Sequence, residues 1–568
     1  MASTSKVPVR IDRLLARLEA ARRERGAQER VDAILARLEK ATFRDPEALV
    51  RFHDALLYFS AFPSRPSVRR RAESILGAFA ARVASLGADP AALEGGGHSG
   101  IAQTSVTTTF SFDLLRALRR SRGKSLRIAW ELQDAPDRLG AGLARFLPLL
   151  EEEALVDANV PYAAWLRAAR NRDAVSWLLS RFESLPETPA ERAELFDALA
   201  LPVTWDLGRS PWSRTRLRVR RGPIFFHGKT LLARRDIDLR REIAGPRLPV
   251  RRLASAAGLR TLDAARAALA TRYREFYGFN HGDAARVVEA DAGRGLRIHF
   301  FGLPPVRRLP LRGASAFLIV RNGVPIGYGD GFMLFERVDL SFNVFPEFRD
   351  GETAFVFARL LRAYRGRFGV TVFSIDPYQI GLENEEAIGS GAFWFYRRLG
   401  FRSVSTRIEG IARREEARVA RRPGYRSSPR TLRAFAAAGM ILDGGDSEAR
   451  EWDRFHIRNI GLAVERKMAE SGLSAPKFRV RCAARLARLL SAGPAREGSA
   501  GSDAFTSLAC VLDLVPGIAR WDAAERESLA SIVDAKQGPS EGRYVRLLQK
   551  HARLRRELLR LGAKARTA

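Results

Sequence analysis

The chain has 568 residues, 46% of them hydrophobic, and a formal net charge of +32. That length exceeds one hydrophobic core and implies about three or four domains. The apolar content excludes general disorder, and no apolar run approaches the ~20 residues that span a bilayer. The charge suits either a polyanionic partner or an arginine-rich composition. Because the basic residues are scattered rather than gathered in one block, nucleic acid is not the favoured partner.

In chain order, the start is amphipathic and arginine-rich with no apolar h-region, which predicts no secretory signal and a cytoplasmic protein. Ile11, Leu14, Leu15 and Leu18, then Val31, Ile34, Leu35 and Leu38, recur at helical spacing over 8–40. A second helical stretch over about 46–87 is broken at Pro63–Pro66, and Glu94–Gly100 is a linker. The region 1–95 therefore reads as helical. The region 101–212 reads as mixed and mainly helical, with a short strand in Ser125–Trp130 and helices over 143–152, 160–182 and 188–199.

Alternation from 215 to Thr230 predicts strands, and a helix over about 260–277 leads into the polar loop Asn280–Asp283. Leu296–Phe301, Ala316–Val320, Ile326–Gly329 and Val338–Val344 read as strands, with Asn322-Gly323 as a two-residue hairpin turn. A charged helix over 411–420 and a linker at Pro423–Pro429 lead to a helical domain over 430–568 with a Gly/Ser-rich loop at 493–502. That domain ends on a basic amphipathic helix carrying Leu547, His551, Leu554, Leu558 and Leu561, expected to dock on its own domain, with a partner helix or anionic surface second.

Several motifs point away from chemistry. Gly228-Lys229-Thr230 lacks the four-residue spacing of a phosphate loop, since five residues separate Gly222 from Gly228. The seven histidines show no metal-ligand spacing, so no metal site is expected; His281 is the best isolated candidate, against a plain turn role. Cys482 and Cys510 form no CxxC pair, and no GxSxG elbow is present.

The informative stretch is Leu334–Phe401. Val338, Leu340, Phe342 and Val344 alternate with Asp339, Ser341 and Asn343, which makes a half-buried strand. Pro346–Gly351 is a turn, and a helix over 353–366 carries Phe355, Ala358, Leu360 and Leu361 on its apolar side. Gly369 ends the connection, and Val370–Ile375 is the next strand. Ser390 can cap a helix, Ala392–Leu399, that Gly400 stops. A single-helix crossover predicts that the two strands lie parallel in one sheet.

Val344-Phe-Pro-Glu-Phe-Arg349 and Phe395-Tyr-Arg-Arg-Leu-Gly-Phe401 resemble two blocks of the GNAT-type N-acyltransferases, in the same order and with the same elements between them. The resemblance covers about a quarter of the chain. It implies an α+β multidomain protein: a GNAT-like mixed sheet with flanking helices over 213–412, core 300–410, between mainly helical ends. It also implies acetyl-CoA or another acyl-CoA as donor and an unidentified amine as acceptor. Val344, Arg349, Gly351, Thr353 and Ala354 would line the donor's diphosphate, where N–H groups of a helix start bind anions. Tyr396 would be the general acid, and Glu336 or Asp339 the base. Glu352 stands where the family pattern has glycine, so a carboxylate is expected to oppose the diphosphate there. The alternatives are an inactive GNAT-fold binding or scaffold module and a nucleic-acid-associated basic protein. The helical ends are open to a protein partner.

Overall fold

The computed structural model describes all residues except 1–5, 23–29, 87–89, 94–98, 123–124, 134–141, 143–144, 147–172, 220–221, 229–230, 423, 445–448, 491–499 and 564–568. Most of the expected helix over 143–152, the first part of that over 160–182 and most of the Glu94–Gly100 linker lie outside the described residues, as do Lys229, Thr230 and most of the 493–502 loop. Two compact units emerge. Unit 1 comprises 1–230, 259–281 and 320–325; unit 2 comprises 231–258, 282–319 and 326–568.

The first part of the chain forms α1 (Lys6–Ala20), α2 (Val31–Glu39), α3 (Pro46–Ala61), α4 (Pro66–Gly77) and α5 (Phe79–Ala84). Asp45 caps α3 by accepting from the N–H groups of Glu47 and Ala48, and Pro46 sits where a helix has no N–H to lose. β1 (Ser105–Thr108), α6 (Phe112–Arg122), β2 (Leu126–Ile128), α7 (Ala174–Glu183), α8 (Pro189–Asp197) and β3 (Val203–Asp206) follow. The three strands form an antiparallel sheet with β3 in the centre. Residues 215–219 form no strand: Leu217 and Val219 are buried, but their backbone meets turns rather than a ladder, as where the Val219 N–H donates to the Gly323 carbonyl. Alternation there reports burial without pairing.

β4 (Val250–Arg252) comes after α9 (Leu239–Ala244). α10 (Ser255–Ala270) starts and stops earlier than periodicity suggests; the chain then turns through Tyr273, at a φ of 55°, into α11 (Tyr277–Asn280). The sheet strands follow: β5 (Val287–Gly293), β6 (Leu296–Phe301), β7 (Gly313–Arg321), β8 (Val324–Leu334) and β9 (Arg337–Val344). Asn322 and Gly323 take φ of 50° and 86°, as the mirror-image hairpin turn requires. α12 (Thr353–Phe368) crosses to β10 (Val372–Ile375), its C-terminus stopped by Gly369 at a φ of 79°. Then come α13 (Pro377–Ile380), α14 (Glu385–Ser390), α15 (Ala392–Arg397), β11 (Arg402–Ser403), α16 (Thr406–Arg421) and α17 (Pro429–Phe435). β12 (Met440–Asp443), α18 (Ile457–Glu470), α19 (Ala475–Leu489), α20 (Ala500–Leu512), α21 (Ala523–Gln537), α22 (Glu541–Lys550) and α23 (Ala552–Ala563) complete the chain.

The nine strands from β4 to β12 form one mixed sheet, in the order β11-β12-β10-β9-β8-β7-β6-β5-β4. β9 and β10 pair in parallel, Arg337 opposite Val372 through Leu340 opposite Ile375. β12 belongs to the region expected to be wholly helical, yet it inserts between β10 and β11, antiparallel to both. The reading of 430–568 as a separate helical domain therefore breaks at Met440–Asp443, a stretch too short for its strand character to outweigh the helical pattern around it.

α12 packs its apolar side on β8 and β9. Tyr364 donates to the Ser315 carbonyl at 2.8 Å, and it reaches the sheet because β8 carries Gly327, Gly329 and Gly331 on one face. A Cβ on Gly331 would come within 2.7 Å of the Tyr364 ring. Gly331→Val should therefore lower stability by about 1–3 kcal/mol through overpacking, whereas Gly389→Ala, with nothing within 4 Å, should change it by less than about 0.5 kcal/mol. Urea unfolding of the two variants checks this.

Candidate functional site

The parallel ladder ends at Leu340–Ile375, but β9 runs on through Val344. β10 leaves the sheet at Asp376, which caps α13. The strands thus part, and the Phe342 N–H donates instead to the side-chain carboxamide oxygen (Oε1) of Gln379 on α13 at 3.2 Å. Antiparallel pairing with β8 continues along the other edge of β9, Ser341 facing Asp330 and Val344 facing Gly327.

Past β9 the chain makes one 3-10 turn, Pro346–Phe348, and enters α12. The Gly351 N–H bonds the Phe348 carbonyl and the Thr353 N–H the Gly351 carbonyl, both at 2.9 Å. The Val356 N–H bonds the Glu352 carbonyl at 2.9 Å, and none of the described residues accepts from the N–H groups of Ala354 and Phe355. Arg349 pairs with exposed Glu386 and reaches the Val344 carbonyl at 3.4 Å, while the Thr353 hydroxyl donates to the Arg349 carbonyl at 3.1 Å. Val344, Arg349, Gly351, Thr353 and Ala354 are thus brought together at one turn.

Glu352 has a φ of −78°, which any residue adopts, so its position does not demand glycine. Its carboxylate is buried and turned inward, accepting from the Leu232 N–H at 3.0 Å and from Arg294, whose Nε lies 3.3 Å from it. That guanidinium pairs with the Glu352 carboxylate within the fold. Glu352 needs Arg294 and Leu232 as partners, and both lie far from it in sequence.

The three residues expected to move protons are each held by neighbours: Asp339 one residue before the last parallel rung, Tyr396 in the aromatic layer beside Phe342, and Glu336 at the far end of β9. Glu336 precedes β9, roughly 26 Å of strand from Val344. Trp452 donates to it at 2.8 Å and Arg555 at 2.9 Å. Burial alone would raise its pKa, but hydrogen bonds from Arg555, the backbone and Trp452, with the Arg555 charge, together hold it below the usual carboxylate range. Asp339 is held by Arg337 at 2.7 Å and Arg312 at 3.3 Å. Tyr396 is buried among Phe357, Phe395 and Phe401, and burial raises its pKa well above the phenolic range. The helix end explains this. The Phe401 N–H returns to the Tyr396 carbonyl at 3.2 Å and the Gly400 N–H to the Arg397 carbonyl at 3.0 Å, a Schellman closure that brings Phe401 edge-on against Tyr396. Ser390 does not cap α15; Gly391, at a φ of 67°, takes that place, and Ser390 bonds back to the Ala387 carbonyl at 3.2 Å.

One carboxyl on the next strand, across β9 from the opening, is not singled out by the sequence. Asp330 of β8 accepts from the Ser341 hydroxyl at 2.6 Å, and its own N–H donates to the same oxygen at 3.1 Å. Burial pushes its pKa above the usual carboxylate range, opposed in part by Ser341 and Arg312. It lies one rung past the point where β9 and β10 part. The signal was the polar residue in Gly329-Asp330-Gly331, amid an otherwise apolar strand.

Other singled-out residues have structural roles. His281 sits 3.1 Å from Asp113 and against the Tyr277 ring, closing the turn after α11. The Gly228 N–H donates to the Ser64 carbonyl in a turn. Cys482 and Cys510 are buried free thiols whose side chains meet between α19 and α20; burial pushes Cys482 up to about 12, which suits an inert thiol. Among the described residues no cluster could hold a metal, and no helix is long and apolar enough to cross a membrane. Comparison of the chain with models of known families, with curated proteins and with solved structures finds no match.

Because the folded state raises the pKa of Asp330, its ionised form is disfavoured there. That penalty is absent below the unfolded pKa of ~3.9 and grows as pH rises through the folded value. Asp330→Asn should therefore gain stability relative to wild type between pH 4 and pH 7. Urea midpoints at the two pH values check the sign.

Proposed function

We propose that unit 2 is a GNAT-type acyl-donor domain and the chain an N-acyltransferase-like protein taking acetyl-CoA or another acyl-CoA. The observation that carries this reading is the parting of β9 from β10 beside the start of α12, where no acceptor among the described residues meets the Ala354 and Phe355 N–H groups. Unpaired amides at a helix N-terminus suit a diphosphate. The inward turn of Glu352 leaves the mouth of that turn without its charge, and Arg349, held by a surface ion pair with little to lose, is free to exchange Glu386 for phosphate. The donor would supply a thioester.

The chain's own contribution is positional. In this reading the Phe342 N–H on the β9 edge donates to the donor's carbonyl oxygen, a position that the Gln379 carboxamide oxygen marks. Asp330, bound to Ser341, is the group fitted to take a proton from the amine, because its raised pKa brings it nearer to neutrality than an ordinary carboxylate. Tyr396, Glu336 and Asp339 act as supports: an aromatic packing residue and two ion-paired carboxylates.

Calorimetry with acetyl-CoA tests the reading. Wild type should bind in the micromolar range. Thr353→Asp places a carboxylate in the first turn of α12, where it favours the helix but opposes a diphosphate, and should weaken binding at least tenfold. Asp330→Asn should leave binding intact and lower the rate of thiol release with an amine acceptor by about 100-fold. Absence of acetyl-CoA binding at millimolar concentration would refute the reading. Micromolar binding with no thiol release from any amine would favour the inactive binding module.

A further inference from the structure

α18, α19, α20 and the segment Leu309–Arg312 enclose a cavity of about 370 Å³ within unit 2. Its origin is a stripe on α18. Ile457, Ile460, Val464 and Met468 recur at steps of three and four, so they share one face. A helix laid on a core buries such a stripe, yet only Ile460 of α18 is fully buried. The others face the open space, whose far wall holds Phe478 and Val511.

The polar groups are few and sit at the rim. Arg479 donates to the Ser507 hydroxyl at 3.1 Å and pairs with no carboxylate among the described residues. Arg312 is already held by Asp339 and lies over the Phe332 ring, 4.7 Å from its centre. Glu465 is exposed on the same rim. An apolar chamber with a few convergent polar groups is the usual form of a small-molecule site. An open guanidinium beside a hydroxyl selects an anionic head, and a planar carboxylate fits the guanidinium fork. Since a dry cavity of about 150 Å³ takes one benzene, about 370 Å³ has room for roughly fifteen carbons, enough for a chain of about ten to twelve with its head at the rim.

We infer that this cavity binds an amphiphilic carboxylate, its chain of roughly ten to twelve carbons lying on the α18 stripe and its head on Arg479 and Ser507. The site is separate from the β9–β10 opening, so the inference stands whether or not the chain transfers acyl groups.

Calorimetry on the full chain, below micelle concentrations, tests it with dodecanoate, octanoate and dodecyltrimethylammonium. Dodecanoate should bind one to one at micromolar concentration, and each methylene removed should weaken it roughly fourfold. Arg479→Glu should weaken it tenfold or more. Val464→Trp should remove binding by filling the chamber, with circular dichroism confirming that both variants fold. Equal binding of the cationic amphiphile, unchanged affinity in Arg479→Glu, or no binding of dodecanoate would overturn the inference. So would concentration-dependent dimerisation that Val464→Trp abolishes, which would assign the chamber to a second copy of the chain.

Discussion

The parallel pairing of Arg337–Leu340 with Val372–Ile375 is the constraint on which the rest of unit 2 depends. Parallel neighbours need a crossover, and α12 supplies it. The crossover fixes which face of β9 meets α12, so that Val338, Leu340 and Phe342 go under the helix and Asp339, Ser341 and Asn343 to the other face. It also places the N-terminus of α12 directly after the end of β9. Because β10 stops at Ile375 while β9 continues, the same pairing creates both an edge without a strand partner and a helix start beside it.

The face of the sheet away from α12 is built differently. There Asp330, Ser341, Asp339, Arg337, Arg312 and Ser374 form a hydrogen-bonded polar layer. The C-terminal helices of unit 2 pack on its sheet with charges of their own. Lys536 is fully buried against Glu541, 3.1 Å away, and also donates to the Arg312 carbonyl at 3.0 Å. Removing one partner of such a pair costs about 3–5 kcal/mol, because the other is left buried and unpaired. Much of the arginine excess is likewise engaged in specific ion pairs, as with Arg555 between Glu336 and Glu451. This gives those residues a folding role whatever polyanion the protein meets.

Local signals carried the strands well. Val338–Val344, the Asn322-Gly323 turn and the Gly369 and Gly400 stops could all be read from periodicity and turn chemistry, and the parallel pair followed from a single-helix crossover. What could not be read depended on contacts distant in sequence. Glu352 looks like a repulsive charge until Arg294 and Leu232 are placed beside it. Tyr396 falls at the position of the general acid that the resemblance implies, but its burial depends on the closure of α15, which folds Phe401 over it. β12 is hidden because Met440–Asp443 is a short run amid helical sequence, and the strands on either side of it, β10 and β11, lie upstream. Asp330 was missed because a carboxylate between two glycines reads as a turn, whereas here the glycines make room for Tyr364 on one face and leave the carboxyl on the other.

Amide hydrogen exchange with and without acetyl-CoA probes the central claim most directly, namely that the donor lies where β9 and β10 part. The account predicts that acetyl-CoA slows exchange at Ser341–Val344 and at Glu352–Val356 together, with little change in α18 to α20. Protection confined to other segments, or none at saturating acetyl-CoA, would contradict it.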